Sequence, residues 1–277
     1  MAHRGGVSLK LERVIKAGLN KPHDVICHRG RYVITDKDNN TIVSVTPESG
    51  NFRNLAHGNT GFHPYGIVAV SEAEDHFLVT DAGEKNSAGY IYEVRKGTLS
   101  RWAVGYRSFG SPTGIAICEK EVFVADWSHG CIHVFTLTGE IKRCLAMGKL
   151  TNPWFLAFNS QKQLYVADLY SIKVIHRYED IFEDDFEIST CNKKWHYRGI
   201  AIDDQDNVYI TARSTDSRRL FTKETLTVLD KDHRVLDNFT GGWRTFNYLR
   251  GLCFDAQHQR VVVVDGEWHE LKIFSVN

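Results

Sequence analysis

Ser111-Pro112-Thr113-Gly114-Ile115-Ala116-Ile117, then Val122-Phe123-Val124-Ala125-Asp126, then Ile132-His133-Val134-Phe135 is the stretch that decides the fold. It reads as a Pro-x-Gly turn, an apolar strand, a second strand ending in Asp, a turn and a third strand. The segments are short and rich in Val, Ile and Phe, which is strand composition. The phrase occurs six times, with copies at Pro22, Pro64-Tyr65-Gly66, Pro112, Pro153-Trp154, Arg198-Gly199 and Arg250-Gly251. Successive starts lie roughly 40–50 residues apart, the period of propeller arrays.

Within a copy, the first strand is almost wholly apolar, as expected of a strand buried on both faces. A fourth segment ending in Gly closes each copy, such as Leu99-Ser100-Arg101-Trp102-Ala103-Val104-Gly105. Four antiparallel strands repeated radially predict an all-β, six-bladed β-propeller. The sixth copy stops after its third strand, at Ser275-Val276-Asn277. Near the other end, Leu11 to Gly18 resembles the missing fourth segment. It is predicted to pair with the last blade, closing the ring and removing its exposed edges. Residues 1–277 are expected to form a single domain.

Composition narrows the functional classes. The chain has 277 residues, 42% of them hydrophobic, and no net charge. Its longest apolar runs, such as Val261 to Val264, are far too short to cross a bilayer. The first residues lack the apolar core of a signal peptide. Cys27, Cys118, Cys131, Cys144, Cys191 and Cys253 are scattered without Cys-x-x-Cys spacing, so reduced structural thiols are expected. Together these features predict a cytoplasmic protein with no membrane partner. The repeated Asp36, Asp81, Asp126, Asp168 and Asp265 are read as structural, accepting backbone N–H groups of the adjoining turns. The repeated glycines are read as serving turn conformations.

The residues that the repeat leaves variable carry the functional reading. Aligned on Gly, the x position reads His23, Tyr65, Thr113, Trp154, Arg198 and Arg250. Equivalent positions surround the mouth of a propeller channel. Neighbouring loops add Lys194, Arg213, Arg244 and Tyr248 on the same face. Planar and cationic groups suit base stacking, at ~1–3 kcal/mol per base, and phosphate pairing. The same residue types anchor protein interfaces, and the residues alone fit either partner. Trp102 and Trp195 are expected to be buried between blades.

The phrase resembles the NHL repeat. The fit is close in the third copy, at His129 and Ile132-His133-Val134-Phe135, and looser elsewhere, as at Asn39-Asn40 and Tyr170-Ser171-Ile172. The fifth copy departs furthest, with Ala212 where the Asp should be. Over nearly its whole length, the chain resembles the NHL domain of TRIM-NHL proteins. That resemblance implies binding of single-stranded RNA, in messenger 3′ untranslated regions, and post-transcriptional repression. The RNA contacts expected are Arg198, Arg250, Tyr65, Trp154, His23, Arg213, Lys194, Arg244 and Tyr248. The alternative is a module that recruits protein partners or substrates to a TRIM-type ubiquitin ligase, on the same or the outer face. Duplex DNA is not an expected partner, because no groove-reading element is apparent.

Catalysis is not expected. Asp24 is nearly alone as a metal ligand on the inner strands, and His23, His63 and His196 fall at different offsets. Hydrolase and nucleotide motifs are absent. No cofactor or metal is therefore expected, and any ubiquitin-ligase activity would need a RING domain outside this chain. The acidic run Glu179 to Glu187 is expected on the opposite face or outer edge.

Overall fold

The computed structural model describes residues 7–16, 18–83, 88–106, 109–176, 182–186, 195–215, 223–241 and 245–277. These form six four-stranded sheets arranged as a propeller, as the repeat predicts. Blade one runs from β2 (Pro22–His28) to β5 (Phe52–His57), and blade two from β6 (Pro64–Ala69) to β9 (Thr98–Trp102). Blade three comprises β10 (Pro112–Cys118), β11 (Glu121–Asp126), β12 (Cys131–Thr136) and β13 (Ile141–Leu145). Blade four runs from β14 (Pro153–Phe158) to β17 (Phe182–Phe186). Blade five comprises β18 (Trp195–Ile202), β19 (Val208–Ser214), β20 (Glu224–Leu229) and β21 (Val235–Phe239). Blade six comprises β22 (Leu249–Asp255), β23 (Arg260–Asp265) and β24 (Glu270–Val276), completed by β1 (Leu9–Ile15).

The ring closes as predicted. β1 runs antiparallel to β24, from Leu9 opposite Val276 to Ile15 opposite Leu271. The closing strand therefore lies slightly earlier in the chain than Leu11 to Gly18. Asp237 Oδ2 of blade five accepts the Leu9 N–H at 2.7 Å, tying the closure to a second blade.

Apolar residues collect between blades, with one cluster at each of the six junctions. Ile132 and Leu145 of blade three meet Leu156, Leu164 and Ile175 of blade four, for example. Trp102 packs at the junction of blades two and three, and Trp195 at that of four and five, but both are half-buried rather than buried.

The glycines act differently from the sequence expectation. Gly66, Gly114, Gly199 and Gly251 lie inside inner strands, not turns, and none has a positive φ. A Cβ on Gly114 would collide with the Trp154 carbonyl, one on Gly199 with the Arg250 carbonyl, and one on Gly251 with Asp24. They are required because neighbouring blades touch there, backbone to backbone. A threonine relay reinforces this contact. Thr211 Oγ1 accepts the Gly199 N–H at 2.8 Å and donates to the Arg250 carbonyl of the next blade at 2.8 Å. Thr35 does the same between Asp24 N–H, at 2.9 Å, and the Tyr65 carbonyl, at 2.6 Å.

The repeated aspartates are structural, as expected, but their main partners lie in the loop that enters the blade. Asp36 accepts the Asn20 N–H at 2.7 Å, and Asp126 accepts those of Gly110 and Ser111 at 2.9 and 3.0 Å. Asp168 accepts Asn152 at 2.7 Å, and Asp265 accepts Asn247 at 2.9 Å. Within the acidic run, residues 182–186 are the outer strand of blade four, so that part lies on the outer edge. Its other residues lie outside those described. None of the described cysteines Cys27, Cys118, Cys131, Cys144 and Cys253 is in a disulfide, and Cys191 lies outside the described set. Among the described residues, no helix is long and apolar enough to cross a membrane.

Candidate anion-binding site at the channel mouth

Strand direction alternates within each blade. The loop entering a blade and the loop between its second and third strands therefore share one face. The x residues sit on this face at the top of the inner strands, and most are less exposed than a surface reading suggests. His23, Thr113, Arg198 and Arg250 are buried, while Tyr65 and Trp154 are half-buried. Lys194 and Arg244 lie outside the described residues.

Tyr248 gathers the basic groups. The guanidinium carbons of Arg198, Arg250 and Arg213 lie 3.7, 4.6 and 4.8 Å from its ring centre. Tyr248 holds this position with a φ of 99°, in a region that a bulky side chain rarely adopts. Such a conformation costs about 1–3 kcal/mol and persists only where the surroundings impose it. Arg198 Nη1 donates to the Leu249 carbonyl at 3.0 Å and lies 3.7 Å from Glu224 Oε2. Arg213 Nε lies 3.3 Å from Glu224 Oε1, and Glu224 Oε2 also accepts the Leu249 N–H at 3.0 Å. Arg250 Nη1 contacts His23 Nδ1 at 3.0 Å. Its Nε is buried without a hydrogen-bond partner.

Electrostatics follow from this packing. Burial is the largest influence on His23, and Arg250, Lys37 and Arg198 add to it, driving its pKa well below the usual value. The ring is therefore neutral and accepts a hydrogen bond from Arg250. Burial raises Glu224 to about 7, against the opposing pull of Arg198 and Arg213. Arg198 and Arg213 thus share Glu224, while Arg250 is influenced by the more distant Glu267. Converging guanidinium groups are the donors that anionic ligands bind most strongly.

Aromatic groups flank the cations. His23 lies against Tyr65 with ring centres 3.9 Å apart, and Lys37 Nζ sits 5.4 Å from the Tyr65 ring centre. Trp154 meets Trp127 edge-on at 6.3 Å. Tyr170, which the x-position alignment does not reach, is 47% exposed on the same face beside His196. Glu224 and Lys37 were missed. Glu224 follows the long loop of the irregular fifth copy, and Lys37 follows the repeated Asp36, so the repeat marks neither.

Below the mouth, the channel holds a cavity of about 320 Å³, lined by residues that include Asp24, Ile67, Ile115, Phe155, Leu252 and Cys253. Asp24 occupies the slot filled by glycine in most blades. Its carboxylate accepts the N–H groups of Val25 at 2.9 Å and Ile67 at 3.0 Å. Burial nevertheless raises it to about 7.

Sequence comparison matches residues 109–135 to the NHL repeat. No curated protein matches the chain. Its fold is similar to that of a PQQ-bound aldose sugar dehydrogenase from Streptomyces coelicolor, at 15% identity and a TM-score of 0.71, covering 100% of both chains. It is similar to a gluconolactonase from Xanthomonas campestris at 15% identity and a TM-score of 0.65, covering 97% of this chain and 99% of the other. Virginiamycin B lyase from Staphylococcus aureus shares 14% identity and gives a TM-score of 0.66, over 97% and 99% of the two chains. These likenesses correct the expectation that the chain is no enzyme. End to end, its scaffold is one that a dehydrogenase, a lactonase and a lyase also use. The chain is thus a six-bladed β-propeller whose third blade carries a sequence matching the NHL repeat.

Proposed function

We propose that the loop face binds single-stranded RNA, with a phosphate drawn to the channel mouth and bases stacked on the flanking aromatics. The observation that carries this is the cluster of Arg198, Arg213 and Arg250 around Tyr248, with Glu224 close to the first two. Tyr65, Trp154 and Tyr170 offer ring surface around it, and splayed single-stranded bases can reach such groups. Repression of bound messenger RNAs is the role that follows from the NHL resemblance. Binding of short random single-stranded RNAs, followed by fluorescence anisotropy at two salt concentrations, tests the proposal. Salt-sensitive binding with enriched short motifs is expected. Binding without any enriched motif, or capture of protein partners by a face that ignores RNA, would contradict it.

One observation favours a second reading, a catalytic channel. Asp24 titrates near 7 beside a cavity of about 320 Å³, under a cationic mouth. A carboxyl poised near neutrality can serve as a general acid or base. Small anionic substrates or sugar lactones are the chemistry to assay. Turnover lost in Asp24→Asn would support the reading, and no turnover in the wild type would dismiss it.

A further inference from the structure

We infer that blade three carries a divalent-metal site, best suited to zinc, formed by Asp126, His129 and His133. Asp126 Oδ2 lies 2.8 Å from His129 Nδ1 and 3.2 Å from His133 Nε2. The three ligand atoms all fall within 4.8 Å of one another. Zinc bonds of about 2.0–2.2 Å to imidazole and carboxylate require only a small spreading of this cluster.

The other blades show that the scaffold does not require this arrangement. At the position of His129, blade one has Asn39, whose Nδ2 donates to Asp36 Oδ2 at 2.7 Å. At the position of His133, opposite the second strand, blade one has Val43, whereas blade six has Lys272, a single cation 3.6 Å from Asp265 Oδ2. Asp126 already receives the N–H groups of Gly110, Ser111 and His129, at 2.9, 3.0 and 3.2 Å. Two imidazoles converging on its Oδ2 therefore exceed what the fold needs.

The surroundings complete a ligand set. His133 is buried, and its Nδ1 lies 3.0 Å from Tyr106 Oη and 3.1 Å from Cys144 Sγ. A proton on Nδ1 donated to Tyr106 leaves Nε2 free to bind metal, the orientation that outer partners usually impose on a ligating histidine. Cys131 Sγ, 3.7 Å from the same Nε2, adds a soft donor behind the site. The His129 side chain is 51% exposed, so metal can enter from solvent and keep a water as a further ligand.

The test is calorimetric titration of zinc chloride into chelator-stripped protein, with thermal unfolding with and without zinc. One equivalent should bind and raise the unfolding temperature. His129→Asn installs the side chain that blade one uses, so it should fold like the wild type while binding zinc about 100-fold more weakly or worse. His133→Gln should also lose the site. Failure of the wild type to take up zinc, or an unchanged affinity in a folded His129→Asn variant, would overturn the proposal.

Discussion

Blades three and five solve the same structural problem with different chemistry. In blade three, Asp126 accepts the backbone of its own entry loop, and two histidines surround it. In blade five, Ala212 takes the Asp position and offers no acceptor. Glu224, one strand further out, accepts Leu249 N–H of the next blade and pairs with Arg198 and Arg213. The regular blade thus spends its carboxylate on the loop. The irregular blade places its carboxylate among the cations of the channel mouth. Departure from the repeat coincides with the cations of the channel mouth.

The comparison breaks if the two carboxylates are interchangeable in their effects. Asp126→Ala leaves the Gly110 and Ser111 N–H groups without their acceptor and should cost about 4 kcal/mol in urea unfolding, at 1–3 kcal/mol per orphaned group. Glu224→Gln keeps an acceptor for Leu249 and removes the carboxylate that faces Arg198 and Arg213. Because burial raises the Glu224 pKa to about 7, the neutral Gln should leave stability at pH 8 no lower than in the wild type, yet raise RNA affinity by adding net positive charge to the mouth. A Glu224→Gln variant that weakens RNA binding would place the anion site elsewhere.

Asp24 and Glu224 sharpen the same contrast through pH. Folding raises both from the ordinary carboxylate range to about 7. Between those limits the folded chain holds protons that the unfolded chain has released, so stability falls as pH rises through the window. The loss is complete above about pH 7. Asp24→Asn should remove about 2 kcal/mol of that fall, measured by unfolding at pH 5 and pH 8. His23 acts in the opposite sense: its lowered pKa costs stability as pH falls below its ordinary 6.5. At the small end, Tyr170→Ala should leave stability within about 0.5 kcal/mol and weaken RNA binding by about 1 kcal/mol.

Much of the fold was legible because the repeat writes it out six times. Strand order, blade number and the closing strand all followed from the phrase around Gly114 and its copies. The role of the glycines did not, because contact between Gly114 and the Trp154 carbonyl joins neighbouring blades and leaves no local signature. Likewise, the alignment found Arg198, Arg250 and His23 but not their burial, which depends on the strained Tyr248 and on Glu224 beyond an irregular loop. His129 fitted the repeat signature, so its second use beside His133 emerged only when the blades were compared in space.

The most direct measurement is RNA affinity as a function of salt for the wild type and Arg213→Gln. Arg213 is the guanidinium of the cluster that is partly exposed, so its loss leaves the buried pair in place. The wild type should lose affinity steeply with salt, and the variant should bind more weakly with a slope smaller by about 1, as for one lost phosphate contact. A wild type that binds no RNA, or a folded variant with unchanged affinity and slope, would contradict binding at the channel mouth.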